Sequence, residues 1–180
     1  VACDSGYAAA KHFGLTPHLL VGDFDSLTGA IPTGIPVLRA STHKDDTDTI
    51  LGLRCGLKRG CGEFLILGGF GGRLDHTIAN LQALSFLCDS GAQGQILANR
   101  NAAWIVRNGT LRIPKREHFY LSVFAWDGVC TGVTLEGLEY PLTDYTMRPA
   151  FPIGTSNEFA AQEAVITVKS GTLLVVASHQ

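Results

Sequence analysis

Short apolar runs alternate with stretches of helical spacing through the first hundred residues, and then the helical spacing stops. The runs at 1–3, 18–21, 36–39, 64–67 and 95–98 read as strands. Between them, 7–13 reads as a helix closed by Gly14, and 46–58 carries Ile50, Leu51, Leu53 and Leu57 near helical spacing. Residues 74–87 form the clearest helix, with Leu74, Ile78, Leu81 and Ser85 expected along one packed face. Such alternation predicts a mostly parallel, Rossmann-like sheet with helices on both faces. From about Ala102, strands are expected at 104–107, 111–113, 118–126, 129–135, 164–168 and 173–177, with turns at Asn108-Gly109, Asp127-Gly128 and Ser170-Gly171. The predicted fold class is therefore α/β over 1–100 followed by an all-β sandwich over 101–180.

Composition narrows the function. The 180 residues are 46% apolar, enough for one domain or two small ones, and the net charge of -2 leaves no basic footprint for nucleic acid. No apolar run reaches the roughly 20 residues that span a bilayer. The five cysteines are odd in number and lack metal-ligand spacing, which points to reduced thiols in a cytoplasmic protein.

The acidic residues fall in a pattern. Asp4 follows the first strand, Asp23 and Asp25 follow the second, and Asp45, Asp46 and Asp48 follow the third at the mouth of a helix. Ligands of an open parallel sheet bind outside the carboxyl ends of its strands, so these clusters should meet on one edge. Two carboxylates ~5 Å apart repel by roughly 3 kcal/mol at an effective dielectric of ~20, and a set of them calls for a cation. Carboxylate oxygens suit magnesium, whose other ligands are water and phosphate. Any one of these aspartates, taken singly, would serve equally as a helix cap or turn residue; the candidate site is the set.

A second element is the turn Leu67-Gly68-Gly69-Phe70-Gly71-Gly72-Arg73 between a strand and the 74–87 helix. Glycines let backbone amides approach a phosphate, and Arg73 offers a fork-shaped cation. The run completes neither the dinucleotide fingerprint nor a Walker loop. Arg73, His76 and Asn80 share a polar stripe at helical spacing, with Asp75 in the first turn.

At these residues the chain resembles the thiamine pyrophosphokinase family. The matching pieces are Asp4-Ser5-Gly6, Gly22-Asp23-Phe24-Asp25-Ser26, Lys44-Asp45-Asp46-Thr47-Asp48, Gly71-Gly72-Arg73-Leu74-Asp75-His76 with Asn80, and Gly154-Thr155-Ser156-Asn157-Glu158, in family order along nearly the whole chain. The resemblance implies transfer of pyrophosphate from ATP to the hydroxyl of thiamine, leaving AMP, with magnesium and a homodimer whose sites lie at the subunit interface. It implies metal ligands at Asp23, Asp25, Asp46 and Asp48. It implies ATP contacts at Asp4, Asp23, Ser26, Lys44, Thr47, Arg73, His76 and Asn80, and thiamine contacts at Ser156 and Asn157. Asp25, Asp48, Asp75 and Arg73 are the expected catalytic set, with either Asp48 or Asp75 as general base. The family pattern also carries a strand and glycine-containing loop ahead of the Asp4 motif, so the chain is expected either to be incomplete at its start or to be a short member.

Two other readings compete. A haloacid-dehalogenase-type phosphatase also places Asp-x-Asp after an apolar strand, as Asp23-Phe24-Asp25 does, with the first aspartate as nucleophile. A non-catalytic metal- or sugar-binding module would expose aromatics on one sandwich face; Trp104, Tyr120 and Trp126 are expected instead in core or interface.

Overall fold

The computed structural model describes residues 1–24, 32–39, 46–98 and 100–180. The fold is mixed α/β, in two compact units, Val1–Gly62 and Glu63–Gln180.

In the first unit, β1 (Ala2–Cys3), β2 (Leu20–Gly22) and β3 (Val37–Arg39) form a parallel sheet in that order. Helix α1 (Gly6–His12) links β1 to β2, and α2 (Asp48–Lys58) follows β3. Leu20 and Val21 are fully buried. Covered on both faces, a parallel strand reads as a continuous apolar run, which is why β2 was legible. Helix α2 starts at an N-cap, Thr47, whose Oγ1 accepts the Ile50 N–H at 3.3 Å. It packs closely on β1, since a β-carbon at Gly52 would stand 2.9 Å from the Cys3 sulfur.

The second unit opens with β4 (Glu63–Leu67), α3 (Leu74–Asp89) and β5 (Gln93–Ala98), β4 and β5 being parallel. Strands β6 (Asn101–Arg107), β7 (Thr110–Pro114), β8 (Phe119–Ala125), β9 (Cys130–Glu136), β10 (Leu142–Met147), β11 (Gly154–Asn157), β12 (Glu163–Thr167) and β13 (Thr172–His179) follow. They make a six-stranded sheet, β11-β8-β13-β6-β5-β4, and a four-stranded sheet, β10-β9-β12-β7. Because β5 pairs with β6 antiparallel, one sheet carries strands from both sides of residue 100.

Alternation along β13 shows how the unit packs. Leu173, Val175 and Ala177 join a core cluster that also takes Ile113, Val133, Leu135 and Ile166 from the four-stranded sheet. Leu174 and Val176 point the other way, into a cluster with Leu84, Ile96 and Ala103 beneath α3. Trp126 locks that helix down, its indole N–H donating to Ser85 Oγ at 2.8 Å. Trp104 and Trp126 are half-buried against the two clusters, as expected of core aromatics.

The packed face of α3 differs from the sequence expectation. Leu74 and Ile78 are exposed, at 72% and 46%, and the buried residues are Ala83, Leu84 and Leu87. Gly94 of β5 decides this: a β-carbon there would run into the methyl groups of both Leu84 and Leu87, so its absence opens the slot they fill. Strands β10 and β11 were not anticipated either. Both are short or polar, and both pair with register irregularities. Among the described residues, no helix is long and apolar enough to cross a membrane.

Gly137, at the end of β9, has φ +73°, and a β-carbon there would collide with the Glu163 carbonyl. Gly137→Ala is therefore expected to lower stability by more than about 2 kcal/mol, combining left-handed strain with a backbone clash. Urea unfolding checks this; an unchanged midpoint would show that the β9–β12 approach is looser than described.

Candidate active site

Parallel pairing of β1, β2 and β3 puts their carboxyl ends on one edge, and Asp4 and Asp23 follow β1 and β2 there. Asp4 leaves β1 with φ +43°, and Phe24 leaves β2 with φ +63°. Left-handed backbone at two non-glycine residues is uncommon and marks a constrained site. The Asp4 amide donates to the Val21 carbonyl at 3.0 Å, and the Phe24 amide donates to Asp4 Oδ1 at 3.3 Å. Gly22 makes this possible: with φ +150°, it has no room for a β-carbon because the Asp4 carboxyl occupies that space.

Helix α2 delivers Asp48 to the same place. The Cys3 thiol donates to the Asp48 carbonyl at 3.3 Å. The Asp4 pKa is pushed up to about 6, first by burial, then by the neighbouring Asp48 carboxyl, with Asp23 adding repulsion and the Phe24 amide pulling the other way. Burial also pushes the Cys3 thiol up to about 11, so it stays neutral. Asp46 is turned to α2, its Oδ2 3.0 Å from the Arg54 Nε. Among the described residues, no three His, Cys, Asp or Glu side chains are grouped to hold a metal ion. Asp25, Ser26, Lys44 and Asp45 lie outside the described residues.

In the second unit, the glycine-rich turn joins β4 to α3. Asn80 reaches back from α3 and donates to the Gly69 carbonyl at 2.9 Å, so it braces the turn from within. Gly69 is held against Ile96 with no space for a side chain. Arg73 and Asp75 form an exposed two-point pair, Nη2 to Oδ2 at 2.6 Å and Nε to Oδ1 at 3.2 Å. Asp75 also accepts the His76 amide at 3.0 Å. The Arg73 bond leads the causes that draw the Asp75 pKa down to about 2. His76 is exposed.

The Gly154–Asn157 strand carries the remaining candidates. Gly154 lies so close to the Val123 carbonyl that only glycine fits. Ser156 is exposed and left-handed, φ +56°, where β11 slips register against β8, and its amide donates to Ser122 Oγ at 3.0 Å. Asn157 is 3% exposed, and its side chain bonds the backbone of Tyr140 and Glu158. Sequence reasoning missed the Cys3–Asp48 tie, the contact at Gly22 and the Asn157–Tyr140 bonds, all of which join residues distant along the chain.

Carboxylates at the strand ends of an α/β unit and a glycine turn opening a helix are features of phosphoryl-transfer sites. Comparison with known proteins is specific. Residues 1–93 match the family model for the thiamin pyrophosphokinase catalytic domain, and residues 109–173 match that for the thiamin pyrophosphokinase vitamin B1 binding domain. The chain therefore belongs to the thiamin pyrophosphokinase family. Thiamine pyrophosphokinase of Bacillus subtilis (strain 168) is 27% identical over 184 residues, covering 99% of this chain and 86% of its own length. Thiamin pyrophosphokinase 1 of Caenorhabditis elegans is 26% identical over 177 residues, covering 92% and 71%. The crystal structure of the Bacillus subtilis enzyme superposes with a TM-score of 0.90 at 26% identity, over 99% of this chain and 86% of that one. A thiamin pyrophosphokinase family protein from Enterococcus faecalis gives 0.84 at 29% identity, over 98% and 86%. These matches displace the phosphatase and sugar-module readings.

The sign of the Asp4 shift sets a pH dependence. Its carboxyl holds a proton in the folded chain up to about pH 6, whereas the unfolded chain releases it near the ordinary aspartate value of 3.8. Folding thus loses stability as pH rises from about 4 through 6. Asp4→Asn removes that loss, so the variant should gain stability relative to the parent across this window. Thermal unfolding at pH 4.5 and 7.5 checks it; a constant difference between the two proteins would contradict the raised Asp4 pKa.

Proposed function

We propose that the chain transfers pyrophosphate from ATP to the hydroxyl of thiamine, giving thiamine diphosphate and AMP. The observation that carries this reading is the match of residues 1–93 and 109–173 to the two thiamin pyrophosphokinase family models, and the raised pKa of Asp4 near Asp48 and Asp23 supports it. Carboxylate oxygens fit a hard divalent ion, and we assign Asp23, Asp25, Asp46 and Asp48 to hold magnesium, Asp46 by exchanging its Arg54 partner for the ion. When bound, that ion supplies charge neutralisation at the phosphate oxygens.

The chain's own groups do the rest. Arg73 binds phosphate oxygens through its fork, and Asp75 orients it until the nucleotide arrives. Asp4, Asp23, Ser26, Lys44, Thr47, His76 and Asn80 line the ATP side, Asn80 by fixing the turn and Thr47 while capping α2. Ser156 and Asn157 serve thiamine. A general base takes the hydroxyl proton in the transition state. With its pKa drawn down to about 2, Asp75 is a poor proton acceptor, which favours Asp48. The reading further assigns a Rossmann-like nucleotide domain to 1–100 and a sandwich-type thiamine domain to 101–180, in a cytoplasmic homodimer with its sites at the subunit interface.

Incubation with thiamine and Mg-ATP, followed by chromatography, should show thiamine diphosphate and AMP in equal amounts; ADP or free phosphate as the main product would overturn the assignment. Asp25→Asn and Asp48→Asn should each lower kcat by about 100-fold or more, in line with loss of a positioned acid–base or metal-binding group. Turnover within a few-fold of the parent would remove that residue from the site.

A further inference from the structure

We propose that Trp126 is a positioning residue for phosphate binding: through Ser85 it fixes the direction of α3, and so the place of Arg73 at the other end of that helix. This deepens the pyrophosphokinase reading and rests on it, because there Arg73 grips the phosphate oxygens. Helix α3 is held unevenly. Its buried residues, Ala83, Leu84 and Leu87, all lie in its second half, while Arg73, Leu74, Asp75 and His76 at its start are exposed. The helix is gripped at one end and carries its phosphate-binding group at the other. The bond from Asn80 to Gly69 fixes the glycine turn to the helix; the direction of the helix itself is set by the packed half.

Apolar contact alone sets that direction loosely. Leu84 and Leu87 fill the slot left by Gly94, and because burial is non-directional they hold the helix down without fixing its tilt. A hydrogen bond is directional. The Trp126 indole is a donor only, and its N–H meets Ser85 Oγ at 2.8 Å, between the two leucine positions in sequence. A helix built only for packing would not choose serine here, since alanine has the higher helix propensity.

The far side of the bond is firm. Trp126 directly follows β8, its amide donates to the Thr172 carbonyl at 2.9 Å, and its ring packs against the cluster of Leu84, Ile96, Ala103 and Leu174. Arg107 of β6 donates to Thr172 Oγ1 at 2.9 Å and also to Asp89. Asp89 is the last residue of α3, where the helix dipole favours a cation, and the last turn has no base of its own. Arg107 supplies that charge from the sheet. The packed half of α3 is therefore tied by polar bonds to β6 and to the end of β8, and both ties lead to Thr172 at the start of β13.

Leverage makes a small error at Ser85 large at Arg73. The two lie ~18 Å apart along the axis, at a rise of ~1.5 Å per residue, so a tilt of ~3° moves Arg73 by about 1 Å. A misplacement of about 1 Å at a reacting group can cost on the order of 100-fold in rate.

Steady-state kinetics on the purified chain, with the products identified, tests this. Ser85→Ala, and Trp126→Phe, which removes the N–H and keeps a ring, should each raise the KM for ATP about three- to tenfold, the range of one neutral hydrogen bond, and leave the KM for thiamine within about twofold. A purely structural role would lower kcat through lost folded enzyme and leave both KM values alone. In an Arg73→Ala background, Ser85→Ala should add less than about twofold, because the group it positions is gone. If Trp126→Phe fails to fold, Ser85→Ala and the double variant decide alone. An unchanged KM for ATP in Ser85→Ala, or an effect that persists in full without Arg73, overturns the positioning role and leaves the pyrophosphokinase reading standing. A parent protein that makes no thiamine diphosphate overturns both.

Discussion

Carboxyl groups crowded at the end of a parallel sheet set the terms for the first unit. Cys3 ties β1 to the start of α2 through the Asp48 carbonyl, and Gly22 leaves the space the Asp4 carboxyl fills. A protein built only for stability would not keep a partly buried acid whose pKa is pushed up to about 6. Two left-handed residues, Asp4 and Phe24, frame the same spot. Local strain and unfavourable charge in one place mark a binding site prepared for a charged ligand.

The second unit solves a different problem, holding short loops rigid. Its six-stranded sheet is covered on one face by the four-stranded sheet and on the other by α3. The glycine turn is braced by Asn80, α3 by Trp126 and Ser85, and the Tyr140 segment by Asn157. In each case a side chain satisfies a group that the ladder leaves open. Buried polar groups with full partners cost little, and they fix the loop in one place.

How far this could be read from sequence follows from what each feature depends on. Leu20 and Val21 announce β2 because burial on both faces leaves a plain apolar run. Asp4 and Asp23 stand just past β1 and β2, where position after a strand is itself the signal. Helix α3 misled, since apolar residues lie on more than one of its stripes and Gly94, on another strand, chooses between them. Strand β10, Leu-Thr-Asp-Tyr-Thr-Met, carries too few apolar positions for a period to show. For Asn157 the sequence shows its chemistry and not its backbone partner Tyr140, which lies 17 residues away.

The central claim is the raised pKa of Asp4 at the acidic edge, and calorimetry measures it directly. Titration of Mn2+ at pH 6, in buffers of different ionisation enthalpy, reports protons released on binding. With the Asp4 pKa at about 6, the account predicts release of about half a proton per ion, vanishing in Asp4→Asn. Binding with no proton release, or the same release from both proteins, would contradict it.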